Sequence, residues 1–144
     1  MLMLFALYWV MTQFSSPCSA TLGCKTPLGM ESGDISSAQI SASSMLDADN
    51  SPEQARLHKK ADGGMAGAWS AQIDDFNQWL QVDLSSYTKV SRVATQGKNG
   101  FDQWVTKYKI QYSDDGETFL VYKEPGTSSA KVTSFMLFLY LFYD

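Results

Sequence analysis

Apolar and polar residues alternate through the middle of this chain, and that period of two constrains the fold more than any other feature. In QWLQVDL, residues 78–84, Leu80, Val82 and Leu84 fall on one side and Trp79, Gln81 and Asp83 on the other, because successive residues of an extended strand point to opposite faces. In WVTKYKIQY, residues 104–112, Trp104, Thr106, Tyr108, Ile110 and Tyr112 share a face, opposed by Lys107, Lys109 and Gln111. SDDGETFLVY follows, with a turn at Asp114-Asp115-Gly116 and a returning strand over Phe119–Tyr122, the pattern of a hairpin. KVSRVATQG, residues 89–97, reads as a further strand ending in a glycine turn. No helical period stands out. Short strands spaced in this way point to an all-β sandwich or jelly roll.

The connections are long for simple hairpins. SSMLDADNSPEQ (43–54), HKKADGGMAGA (58–68) and QGKNGFDQ (96–103) are rich in Gly, Asp, Asn and Ser, and each carries isolated apolar residues: Met45 and Leu46, Met65, and Phe101. A β-scaffold usually carries its binding residues on such loops; the alternative is that these side chains fold back and cap the end of the sandwich. With 144 residues there is room for one domain, and a net charge of −4 argues against a nucleic-acid partner, whose phosphates need a cationic surface. Lys59, Lys60, Lys98, Lys107 and Lys109 are either a local basic patch or ordinary solvated lysines.

Catalytic parts are scarce. His58 is the one histidine and sits between Leu57 and two lysines as a surface imidazole would. No nucleophile elbow, phosphate loop or cofactor motif is present. DADN, residues 47–50, offers hard oxygen ligands, but an EF-hand would need Gly at Pro52 and Glu at His58, so a side-chain-stabilised turn is the expectation. The chain is therefore expected not to be an enzyme and to use no cofactor, and the sequence assigns no metal-ligating residues.

The N-terminal run LMLFALYWVM, residues 2–11, is too short to span a bilayer and is followed by polar TQFSSPCSA. Residues 1–20 thus read as a secretory leader with Ala20 before the cut, although no positive charge precedes the run; a buried first strand is the alternative. Cleavage there would leave Cys24 as an unpaired cysteine, because only Cys18 accompanies it in the chain.

CKTPLGMESGDISSAQISASS (24–44), ARLHKKADGGMAGAWSA (55–71), QWLQVDL (78–84), VATQG (93–97) and QWVTKYKIQYSDDGETF (103–119) resemble, in order and spacing, the discoidin family, the type C domains of coagulation factors V and VIII. The resemblance covers residues 24–133. It implies a secreted or cell-surface jelly-roll sandwich that binds cell-surface glycans, proteins or anionic phospholipid through loops at one end, often in adhesion. Carried onto this chain, it places the ligand loops at Met45–Gln54, Lys59–Gly67 and Lys98–Gln103, with Met45, Leu46, Asp47, Asn50, Lys59, Lys60, Met65, Lys98, Asn99 and Phe101 as candidate contacts. Cys24, Trp69, Trp79, Asp83 and Trp104 match framework positions. Membrane-binding relatives carry large aromatics in the first loop; here Met45 and Leu46 stand among Asp47, Asp49 and Glu53, which an anionic bilayer repels. Glycan or protein binding is therefore at least as well supported as lipid binding.

Two other readings stay open: a carbohydrate-binding appendage of a secreted enzyme, and a shortened product without independent function. The second arises from SFMLFLYLFYD, residues 134–144, which is apolar from Phe135 to Tyr143 and too short to cross a membrane. It stands where the resemblance implies further strands and a cysteine to pair with Cys24. As a strand it would be apolar on both faces, hence buried or prone to aggregate.

Overall fold

The computed structural model describes residues 2–8, 27–90, 92–123, 126 and 132–133. Cys18, Cys24, the expected cleavage point at Ala20 and the tail from Ser134 lie outside them. Among the described residues six strands form one mixed sheet: β1 (Leu2–Tyr8), β2 (Ile40–Ala42), β3 (Trp79–Asp83), β4 (Lys107–Ser113), β5 (Leu120–Val121) and β6 (Val132–Thr133). Their order across the sheet is β2-β3-β1-β4-β5, with β6 also pairing β4. The alternation of residues 78–84 does what its period dictates. Leu80 and Val82 are 1% and 0% exposed, while Trp79, Gln81 and Asp83 are only half-buried on the other face.

Ile40, Leu80, Val82 and Tyr108 supply the strand side of the core, and Met30, Ile35, Trp69, Leu84 and Val105 close over it from the connecting segments. One layer of the core is thus sheet and the other is largely loop. Trp69 fits there because its indole N–H donates to the Ser44 carbonyl at 2.8 Å, which satisfies its polar edge. Buried Gln78 is similarly spent: its oxygen accepts from the hydroxyls of Ser43 and Ser44 at 2.7 and 2.6 Å, and its nitrogen donates to Asp75 at 2.8 Å.

The hairpin forms as its sequence reads. β5 runs antiparallel to β4 with Tyr112 opposite Leu120, and the turn is held by Asp115, whose carboxylate accepts from the backbone N–H of Glu117 and Thr118. Two expectations change. Among the described residues of 89–97 no strand is formed; Val90 and Val93 instead pack on the core from an irregular segment. β4 begins at Lys107, so Trp104 and Thr106, expected on its inner face, precede the strand and are exposed. Residues 2–8, read as part of a leader with a first strand as the alternative, are drawn as β1 between β3 and β4, parallel to both.

Candidate functional site

Hydrogen bonds to Asp49 and Asn50 join three loops. The first loop is bent by two short 3-10 turns, Ala48–Asn50 and Pro52–Gln54. Asp47 caps the first, its Oδ1 accepting from the backbone N–H of Asn50 at 3.0 Å and from the Asn50 amide at 2.6 Å. These bonds, that of the Asn50 side chain foremost, hold the Asp47 carboxyl below its ordinary value. Asn50 is 5% exposed; its backbone carbonyl accepts from Ser70 N–H, and its side-chain oxygen accepts from Lys98 Nζ at 3.2 Å. The neighbouring Asp49 carbonyl accepts from Ala66 N–H at 2.8 Å. Asn50, expected to contact ligand, is buried and bonded to Asp47 and Lys98.

The second loop turns tightly at Gly63-Gly64, where Asp62 and Met65 exchange backbone bonds. Both glycines have positive φ, 58° and 90°, the conformation that a two-residue hairpin of this kind demands. Gly67 then lets the loop return against its own start, since a Cβ there would lie 2.5 Å from the Lys60 carbonyl carbon. In the third loop, Lys98 N–H donates to the Gln103 carbonyl at 2.9 Å, and the Lys98 ammonium lies 4.8 Å from the Phe101 ring centroid. One cation is therefore shared between an amide oxygen and an aromatic face.

A cavity of about 580 Å³ opens among these loops, within the range that holds small ligands. Leu46, Ile73 and Trp104 are apolar lining residues, and Gln54, Gln96 and Gln103 are polar ones. Its ionic residues balance, with Arg56 and Lys98 against Asp74 and Asp102. Arg56 also anchors the base, donating to the Met30 carbonyl at 2.9 Å. Gln54 is 3% exposed, and its Oε1 has no hydrogen-bond partner among the described residues.

Of the candidate contacts read from sequence, Leu46 and Lys98 line this cavity. Met45, Met65 and Phe101 hold exposed apolar side chains on the same loops, and Asn99 is exposed beside them. Lys59 is half-buried and Lys60 exposed, and neither lines the cavity. Of the residues matched to framework positions, Trp69 is buried, Trp79 is half-buried, and Asp83 accepts from Ser85 N–H at 2.6 Å while its carbonyl takes the Gln39 amide. Trp104, grouped with them from sequence, is instead 51% exposed and walls the cavity. A fourth segment joins these loops in exposing apolar side chains. Ile73 and Phe76 lie exposed in AQIDDFNQ (71–78), whose isolated apolar residues among polar ones repeat the signal of the other loops. His58 lies apart, its Nδ1 2.8 Å from a Glu31 carboxylate oxygen. No cluster of metal-ligating side chains occurs among the described residues.

The chain is thus an all-β domain whose strands carry the core and whose loops carry a cavity and exposed apolar tips. This chain is a member of the F5/8 type C, or discoidin, domain family, whose family model matches residues 39–137. It is 43% identical over 118 residues to human EGF-like repeat and discoidin I-like domain-containing protein 3, covering 76% of this chain and 24% of that protein. It is 40% identical over 122 residues to rat Discoidin, CUB and LCCL domain-containing protein 2, covering 78% of this chain and 15% of the relative. Bovine lactadherin is 40% identical over 118 residues, covering 76% and 27%. The chain spans about a quarter or less of the length of these relatives.

Proposed function

We propose that the chain is an extracellular, non-enzymatic recognition and adhesion module that engages a cell-surface ligand through its loop end. The observation that carries this reading is the joint arrangement of the loops: side chains bonded through Asn50 hold a cavity, and apolar residues are left exposed around it. Family membership supports it, since the matched domain is a binding module in larger proteins.

A glycan is the favoured ligand. The ionic lining is balanced, Gln96 and Gln103 are polar lining residues, and half-exposed Trp104 offers an aromatic wall. That combination suits a neutral ligand with hydroxyls and a C–H face better than a phosphate headgroup. Peripheral contact with a membrane is the second reading, favoured by Leu46, Phe76 and Phe101, each more than half exposed. Among the described residues no helix is long and apolar enough to cross a membrane.

A glycan array and liposome sedimentation on the full chain, each with Trp104→Ala and with Leu46→Asp/Phe101→Asp, separate the two. The glycan reading requires array binding that Trp104→Ala weakens at least about tenfold, roughly the 1.4 kcal/mol expected of one lost aromatic contact. Vesicle binding abolished by the Asp pair, with an empty array, would replace it with the membrane reading. Retention of neither ligand set above these variants would remove both.

A further inference from the structure

β1 has strands on both of its sides. It lies inside the sheet, with residues 4–8 paired in parallel to β3 and residues 2–8 paired in parallel to β4. On one side of it stand only β2 and β3; on the other stand β4, β5 and β6. Among the described residues, β1 is therefore the only strand joining two otherwise separate pieces of sheet.

The spacing makes this a site and not a mere ladder. Adjacent strands lie about 4.8 Å apart, so β3 and β4 stand about 10 Å from each other with β1 between them, too far to bond directly. Both would present a row of unpaired N–H and C=O groups into the gap if it were empty. The gap's inner register is already defined. Phe5 pairs with Leu80 and Ile110, Leu7 with Val82 and Tyr112, and Met3 with Tyr108. Leu80, Val82 and Tyr108 are core residues, so the slot calls for an apolar residue at every second position. The other register, where Leu4 pairs with Trp79 and Lys109 and Ala6 with Gln81 and Gln111, meets half-buried neighbours. LMLFALY supplies β-compatible apolar residues at both registers and has no proline to interrupt a two-sided ladder.

We propose that the β3–β4 gap is a strand-acceptor site, that residues 2–8 are its occupant, and that the strand is held by pairing and register and not by its covalent tie to the domain. The domain folds as one body only with that slot filled, and a domain deprived of residues 2–8 exposes two sheet edges able to take up an extended apolar strand.

Two experiments on the full chain test this. In a background carrying Cys18→Ser and Cys24→Ser, the pair Leu4→Cys/Lys109→Cys places cysteines at Cα partners. Mild oxidation should cross-link it within the monomer, whereas Leu4→Cys/Gln111→Cys, displaced by one step along the same face, should stay reduced. Reversal of that preference, or no cross-link in the first pair, overturns the proposal. Separately, a protease site inserted between Ala20 and Thr21 allows the folded chain to be cut. The N-terminal fragment should co-elute with the domain on gel filtration and leave only as the domain unfolds, after which a labelled synthetic fragment should rebind at one per domain. A fragment that departs while the cooperative melting transition stays where it was overturns the proposal.

Discussion

At the scale of single residues, the polar side chains of this domain are arranged as turn and loop fasteners. Asp115 is the clearest: backbone N–H groups of Thr118 and Glu117, then the Ser113 hydroxyl, hold its carboxyl well below the usual value of 3.8. Asp75 and Asp47 are lowered in the same direction by Gln78 and Asn50 respectively. A carboxyl depressed on folding contributes stability above its unfolded pKa and loses it as pH falls through the folded value. The hairpin should therefore weaken only below about pH 4, the unfolded range of aspartate. Asp115→Asn should lower the melting temperature by a few degrees at pH 7, and the gap should close as pH falls below that range, measured by thermal denaturation across pH. Gln54 gives the opposite expectation. Its unpartnered buried oxygen contributes nothing to folding, so Gln54→Met should leave stability unchanged or raise it by up to about 1 kcal/mol in urea unfolding. Asn50→Ala strands its partners and should destabilise by about 1–3 kcal/mol.

At the scale of elements, loop shape is set by a few backbone positions. Gly67, at φ 65°, permits the second loop to close on Lys60 and Ala61. Gly67→Ala should cost more than about 1 kcal/mol and should loosen glycan binding along with stability, both read on the same preparation. The legibility of elements follows from how local their cause is. Leu80, Val82 and Leu84 could be placed from sequence because alternation is written into neighbouring residues. Trp104 misled because the same alternation runs on past the point where pairing begins, and only the partner strand decides where a ladder ends. Residues 89–97 look like a strand by composition, yet Val90 and Val93 reach the core from described residues assigned to no strand. The loop tips Met45, Leu46, Met65 and Phe101 were legible as apolar residues among turn formers; the cavity wall formed by Gln54, Arg56 and Gln103 was not, since it joins loops far apart in the chain.

At the scale of the whole molecule, one face of a sheet packed against loops makes each inward strand residue count. Leu80 is fully buried and central to that face, so Leu80→Ala should remove about 2–5 kcal/mol, a large share of the 5–15 kcal/mol a domain usually has. Equilibrium urea unfolding measures it. The family could be named from sequence because its motifs are spread over several segments in fixed order. Parallel pairing of β1 could not, because nothing near residues 2–8 records which distant strands will flank them.

The placement of β1 also sets a timetable. Residue 4 must wait for residue 79 to be made, and residue 2 for residue 107. At about 5–20 residues per second on the ribosome, the first strand to emerge stays unpaired for on the order of ten seconds. During that interval it is an apolar ribbon available to chaperones, to the export machinery or to a neighbouring nascent chain. Which of these reaches it first is a contest of rates, decided before the last strand of its own sheet exists.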